Sequence, residues 1–238
     1  MVITLEDIKK NNDIRTLIRW ANKCMEAIGY TDHGPRHAGY VSHVASEILR
    51  KLDYPKRLAE LAAIAGWMHD IGNCINRKNH GLTGANLIFP ILMRMGMAME
   101  EICIITSAVG NHEEEHGNSV SEVSAALIIA DKSDAHRTRV RRGKYDPNDI
   151  HDRVNYSIKH SKIVVDKEAK AIRYLLDIDN NSSIMEFLQI YMSRMVMSEK
   201  AAKFLGCSFE IVANGLMLNN IYCEVDEEKA KDTAGETA

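Results

Sequence analysis

No stretch of this 238-residue chain approaches the roughly 20 consecutive apolar residues that a helix needs to cross a bilayer. Met1 to Lys10 lack the basic start and apolar run of a secretory signal, so the cytoplasm is the expected compartment. Cysteines are few: Cys24, Cys74, Cys103, Cys207 and Cys223. Their number is odd, their spacing is irregular and no Cys-x-x-Cys pair occurs, which fits reduced thiols rather than a disulfide framework. Cys24 and Cys103 fall in helical apolar patterns and read as core residues. Cys74 reads as a small buried residue. An excess of one charge is also missing: 30 basic and 33 acidic residues leave a net charge of −3. Nothing in that balance calls for a nucleic acid polymer or an anionic membrane surface as partner. There is no internal repeat and no low-complexity segment. What the chain does have is 45% hydrophobic and 26% charged residues, enough to bury a core in one large domain, or in one domain with an appendage.

The periodicity is helical from residue 4 to about 142. Asn12 is placed to cap a helix that Gly29 ends. Pro35 and Pro55 each open another. Further helices are expected over 81–94, with Pro90 inside, over 100–112, and over 123–141 around the run Ala-Ala-Leu-Ile-Ile-Ala-Asp. Residues 143–148 read as a loop. Segments 162–165 and 171–178 are β-rich and flank a polar turn, which predicts a hairpin. A helix over 182–205 ends at Gly206, and a strand over 208–213 precedes the turn signal Asn214-Gly215. The expected architecture is mainly α: a helical domain over 1–145, a small α+β (ββαβ) subdomain over 146–223, and a charged loose tail over 224–238.

Ten histidines are present, and several stand where a core residue belongs. His37 begins a stripe with Val41, Val44 and Ile48. His69 continues one from Leu61 and Ala65. His80 precedes Gly84, Leu87 and Ile91; His112 follows Ile105, Ala108 and Val109; Asp131 follows Leu127. Each points along the inward face of its helix. A single one reads as a hydrogen-bonded core residue. Five on five helices are costly to bury unless they satisfy one another or a metal. A set of imidazoles and carboxylates suits Mn, Fe, Co, Ni or Zn used for hydrolysis.

The order His37, His69-Asp70, Asp131 resembles the HD superfamily of metal-dependent phosphohydrolases, named for that His-Asp doublet. Arg36-His37-x-x-x-Val41-x-x-x-Ala45 is similar to its first motif, Ala65-Gly66-Trp67-Met68-His69-Asp70-Ile71-Gly72 to its doublet, and Ile129-Ala130-Asp131-Lys132 to its closing aspartate. His80-x-x-x-Gly84-Ala85 and Asn111-His112-Glu113 resemble the extra histidines of dinuclear members. The resemblance covers residues 30–142. It implies an HD-type helical domain that holds one or two divalent ions (Mn, Fe, Co, Ni, Zn or Mg). His37, His69, Asp70 and Asp131 would hold the first. Asp70, the implied catalytic residue, would bridge to a second held by His80 and His112. The implied reaction is hydrolysis of a small phosphorylated molecule, a nucleotide or dinucleoside polyphosphate in the most similar members. Two features depart from the family: Asn73 stands where many members have a Lys, and the gap from Asp70 to His80 is short. The Gly-Tyr-Pro signature of cyclic-di-GMP phosphodiesterases is absent.

Other residues invite a functional reading beside a bland one. His33 and His116 are candidate substrate contacts or solvated histidines. Lys132 would reach a substrate phosphate or lie on a solvated helix. Arg137 is the choice for a phosphate clamp within the basic run Arg137, Arg139, Arg141, Arg142 and Lys144, otherwise a favourable helix end. His43 falls on a polar face. Met192, Met195 and Met197 read as packing, or as a homodimer contact. His112-Glu113-Glu114-Glu115-His116 also matches the zincin motif, which needs a helix with one buried face. The alternatives to an enzyme of the HD type are therefore a metal-bearing nucleotide sensor without turnover and, more remotely, a metalloprotease.

Overall fold

The computed structural model describes residues 2–219 apart from Arg142 and Lys144. The expected tail over 224–238, Cys223 and those two members of the basic run lie outside the described residues. The chain is mainly helical, with a small sheet and a long helix following the helical part. Helices α1 (Leu5–Lys10), α2 (Asn12–Ala27), α3 (Pro35–Lys51), α4 (Lys56–Met68), α5 (His80–Met95), α6 (Met99–Gly110) and α7 (Glu122–Lys132) come first. The helix α8 (Ile150–Ser157) and the strands β1 (Ile158–Asp166) and β2 (Ala171–Ile178) follow, then α9 (Ile184–Phe204), β3 (Ser208–Ala213) and β4 (Leu216–Met217). The sheet order is β1-β2-β3-β4. The β1-β2 hairpin is antiparallel, β3 lies parallel to β2 after the α9 crossover, and β4 is antiparallel to β3. No described helix is long and apolar enough to cross a membrane.

Local chemistry sets the boundaries. The cap of α2 is Asn11, whose side chain accepts from the Ile14 amide, rather than Asn12. Proline in the first turn starts α3, and a Ser183/Glu186 capping box starts α9. Two helices are shorter than their periodicity predicts. The α6 helix stops at Gly110, so His112 sits in the turn beyond it. The α7 helix stops at Lys132, because Asp134 turns inward to bond Arg36 and His37. The α8 helix is not anticipated: its sequence IHDRVNYS is polar, and its start rests on the Asp149 cap. Cys103 lies on the exposed side of α6, not in the core.

The core is continuous across the molecule. It joins Val41, Ile64 and Leu127 of the helical part to Tyr174, Phe187, Tyr191 and Ile211 of the C-terminal elements. At its centre is α7, buried all round from Val123 to Ala130, as an all-apolar helix must be. It packs against α3, α4, α6 and α9. Two glycines set the spacing around it. A Cβ on Gly66 would lie 2.8 Å from the backbone of Ser42, so α4 and α3 touch main chain to main chain. A Cβ on Gly72 would lie 1.9 Å from the His80 carbonyl, so the 3-10 turn Ile71–Cys74 presses directly on the start of α5. These contacts bring His69 to His37 and Asp70 to His80.

Candidate metal centre

Four histidines meet at one place, and each is held by the nitrogen that faces away. His69 Nδ1 donates to the Gly66 carbonyl (2.9 Å), His80 Nδ1 to the Arg77 carbonyl (2.9 Å) and His112 Nδ1 to the Val109 carbonyl (2.6 Å). All three acceptors lie three residues back along the chain. His37 Nδ1 lies 2.6 Å from Asp134 Oδ2. Carbonyls and carboxylates only accept, so Nδ1 carries a proton in each ring, and Nε2 is the nitrogen left to meet a metal once it has shed any proton of its own. Those Nε2 atoms face one another in two pairs, His37 with His69 at 3.2 Å and His80 with His112 at 3.0 Å. Two lone pairs at that distance repel unless a proton or a cation lies between or beside them.

Asp70 stands between the pairs. Its Oδ2 is 3.4 Å from both His37 Nε2 and His69 Nε2, while its Oδ1 is 3.3 Å from His80 Nε2. Asp131 Oδ1 adds a second oxygen to the first pair, 3.4 Å from His37 and 3.5 Å from His69. Three buried or half-buried triplets have ligand atoms within 4.8 Å of one another: His37-His69-Asp70, His69-His112-Asp131 and Asp70-His80-His112. Asp70 Oδ2 is buried without a hydrogen-bond partner. An orphaned carboxylate oxygen costs free energy in a protein interior, and a cation would satisfy it. The donor set fits a divalent transition metal.

The charges agree. Burial alone would push the Asp70 carboxyl up, but the charge of His69 and the imidazole nitrogens of His37, His69 and His80 beside it hold it well below the usual range. Asp131 is likewise held down against burial, by Lys132, His37 and His69. Burial opposes a charge on His69, yet Asp70 and Asp131 raise it to about 10. His37 and His80 are raised in the same way by their carboxylates, against the same burial penalty. Burial and the neighbouring histidines push His112 far down. In the metal-free protein, protonated His69 is therefore favoured by folding. That contribution is complete below about 6.5 and is lost as pH rises through about 10. A metal needs the neutral ring. Metal uptake at pH 7.5 should thus release about one proton or more per chain, and apparent affinity should rise from pH 6 to 9. Calorimetry in two buffers of different ionisation enthalpy measures this; heats identical in both would contradict it.

Beside the ligands opens a cleft with about 290 Å³ of empty space, part of it continuous with solvent, and every side chain lining it is ionisable. His33 and Lys132 both line it. His33 is buried, and its Nε2 accepts from Arg139 Nη2 (3.3 Å). Lys132 Nζ is 2.7 Å from Asp131 Oδ2 and 3.1 Å from Glu114 Oε1. The structure does not bring Arg137 or His116 to the cleft. With α7 ended at Lys132, Arg137 pairs with Asp179 (2.9 Å) and lines a separate pocket with Arg36, Arg141 and Tyr156. His116 projects into solvent, its side chain 68% exposed beside Glu115. The zincin arrangement fails for the same reason: residues 111–117 form turns, not a helix, and His112 points at His80 while His116 points away. His43 is exposed, and Cys74 accepts a thiol hydrogen bond from Cys24 through its carbonyl.

Five further groups support the site; Glu113 and Arg139 stand in motifs the sequence already offers, and Asp134, Arg77 and Arg194 do not. Asp134, clamped by Arg36 (2.5 Å) and Arg139 (3.3 Å), orients His37. Glu113 Oε1 accepts from the Gly81 amide and lies 3.3 Å from His80 Nδ1. Arg77 Nη1 is 3.4 Å from Asn73 Oδ1, so a cation reaches the cleft four residues after Asn73. Arg139 and Arg194 complete the rim. For Asp134 the one advance signal is the repeated acid in Asp131-Lys132-Ser133-Asp134.

No family model matches the chain. An uncharacterized protein of Methanocaldococcus jannaschii is 23% identical over 158 residues, which cover 57% of this chain and 61% of that protein. The chain thus spans about three-fifths of the length of this curated relative. A buried His/Asp cluster able to hold a metal ion, inside a helical fold, is what sequence and structure together establish.

Proposed function

We propose that the chain is a metal-dependent phosphohydrolase of the HD type, acting on a small phosphorylated molecule. One observation carries the reading: the carboxylate of Asp70 gives one oxygen to each of two histidine pairs whose free Nε2 atoms converge on it. That arrangement suits two divalent ions sharing a carboxylate, His37, His69, Asp70 and Asp131 holding one and Asp70, His80 and His112 the other. Bound there, the ions supply an acidified water and the positive charge that neutralises an attacked phosphoryl group. The chain's own part is positional. Lys132, Arg77 and Arg194 face the cleft as donors for phosphate oxygens. Asp134, Glu113 and three main-chain carbonyls keep the imidazoles in the ligating tautomer.

A metal-bearing sensor without turnover is the second reading, favoured by Asn73, whose Nδ2 donates to Asp70 Oδ1 at 2.7 Å where a Lys would bring charge. Protein purified without chelator or affinity nickel should contain metal. It should release phosphate from nucleoside mono- and triphosphates, dinucleoside polyphosphates or simple phosphomonoesters with Mn, Fe(II) or Co. Tight nucleotide binding without turnover under every metal would support the sensor.

Glu113→Gln separates this reading from a protease. Glu113 braces His80, so its loss should lower activity and metal affinity by about 10–100-fold and no more. As the general base of a zincin it would be indispensable. Peptide cleavage that disappears in Glu113→Gln would overturn the proposal.

A further inference from the structure

The cleft holds a chain of ion pairs that the metal ligands do not require. Asp131 Oδ2 bonds Lys132 Nζ, Lys132 Nζ bonds Glu114 Oε1 (3.1 Å), and the same Glu114 oxygen bonds Arg194 Nε (3.3 Å). One carboxylate oxygen is thus shared between two cations from distant parts of the chain. Lys132 ends α7; Arg194 lies on α9, beyond the sheet hairpin. Arg194 is held in place by the Tyr191 ring, 4.9 Å from its guanidinium carbon, and makes no other ion pair among the described residues. Glu114 sits in the turn 111–117, which carries His112 and Glu113 on one side and packs on α9 at the other. There a Cβ on Gly117 would lie 2.6 Å from Met197 Cε.

We infer that this ion-pair chain is the phosphate grip of the site, set for a phosphate dianion such as a terminal phosphomonoester rather than for a phosphodiester, with Glu114 as the internal carboxylate that a phosphate displaces. The inference rests on the phosphohydrolase reading and deepens it. With Asp131, the other partner of Lys132, given over to a metal ion, Glu114 is the one carboxylate left to two cations, so Lys132 and Arg194 together are under-neutralised in the metal-loaded protein. A dianion brings the second charge and enough oxygens to bond both at once, so it displaces Glu114 toward solvent with a gain. A diester brings a single charge, no more than Glu114 already provides, and carries a second organic substituent into a space lined only by ionisable groups. Among the described residues the lining has no aliphatic, Phe, Tyr or Trp side chain, so the phosphate, not the organic group behind it, is what this cleft recognises. Arg194 makes α9 a required part of the site.

Calorimetric titration with methyl phosphate and with dimethyl phosphate tests the grip. It is run on metal-loaded and on chelator-treated full-length protein, with metal content measured for each. Methyl phosphate is expected to bind at least about tenfold more tightly than dimethyl phosphate. Arg194→Ala should weaken methyl phosphate by about tenfold or more while retaining its metal. Arg194→Lys should restore part of that affinity, and Glu114→Gln should tighten methyl phosphate binding by removing its competitor. Equal affinity for the two esters, or unchanged binding in a folded, metal-replete Arg194→Ala protein, would overturn the inference. Should Arg194→Ala not fold, Glu114→Gln decides: weaker or unchanged binding overturns it. A wild-type protein that takes up no metal would instead defeat the phosphohydrolase reading, and the Arg194 dependence would be judged on the chelator-treated titration.

Discussion

Asp70→Ala is expected to leave a folded protein that holds no metal and releases no phosphate. The residue faces both histidine pairs, Oδ2 toward His37 and His69 and Oδ1 toward His80. Its removal deprives each pair of an anionic ligand. Asp131 remains near the first pair, but two neutral imidazoles and one carboxylate bind a divalent ion far more weakly than the full set. A bound metal contributes several kcal/mol of charge stabilisation in hydrolysis, so turnover should fall by about a thousandfold or more. Elemental analysis and a phosphate-release assay on the same preparation give both readings. The companion Asp70→Asn keeps the shape and loses the charge, and should fail as well. An Asp70→Ala protein with its metal and its activity intact would show that the site has been misplaced. His80→Ala or His112→Ala should remove one ion and leave the other, which tells two ions from one.

Gly72→Ala is expected to have the second large effect, on the scaffold rather than on a ligand. The added methyl would meet the His80 carbonyl and the Gly84 amide, both main-chain atoms that cannot swing away. The 3-10 turn and α5 must separate by an ångström or more, and that contact sets the distance from Asp70 to His80. Overpacking of this kind costs about 3 kcal/mol, which in a chain of this size lowers the thermal midpoint by roughly 6–12 °C. The second histidine pair should lose its metal affinity first, because His37 and His69 are spaced by Gly66, at a different helix contact. Thermal unfolding by circular dichroism, together with metal stoichiometry, reads both effects. A variant as stable as the parent would mean that the turn and α5 approach less closely than described.

Most of the candidate ligands are legible in the sequence because they interrupt an apolar helical stripe, and a polar residue on an inward face needs a reason; Asp70 is on no such stripe and comes only from the His-Asp doublet of the resemblance. His37, His69, Asp131 and His80 are found that way. Periodicity also places His112 inward, but for the wrong element, since α6 ends two residues earlier and the ring is aimed by the Val109 carbonyl. What the stripes do not carry is contact between distant segments. Asp134 reaches back 97 residues to His37. Arg194 sits among Met192, Met195 and Met197, where the pattern announces packing and nothing else. Arg137 is preferred over Arg139 in the sequence because it is closer to Asp131 along the chain. Once the helix ends at Lys132, it is Arg139 that turns inward, toward Asp134 and His33. The β1-β2 hairpin and the α9-β3 order follow from turn chemistry. The parallel pairing of β3 with β2 and the packing of α9 on α7 depend on the shape of the whole molecule.

The spread of the ligands along the chain has a consequence for folding. His37, His69, Asp70, His80, His112 and Asp131 come from α3, the end of α4, the start of α5, the turn after α6 and the end of α7. An unfolded chain brings no three of them together, whereas the native state holds all six. Ions that bind here act as cross-links over most of the helical part and favour the native state by mass action. At a free metal concentration a hundredfold above the dissociation constant, this adds about 2.7 kcal/mol. The buried Asp70 oxygen, which lacks a hydrogen-bond partner in the protein, and four clustered Nε2 atoms that otherwise need protons between them make the metal-bound form the more stable one. Metal supply in the cell would then set how much of this chain persists folded, as well as how much of it can act.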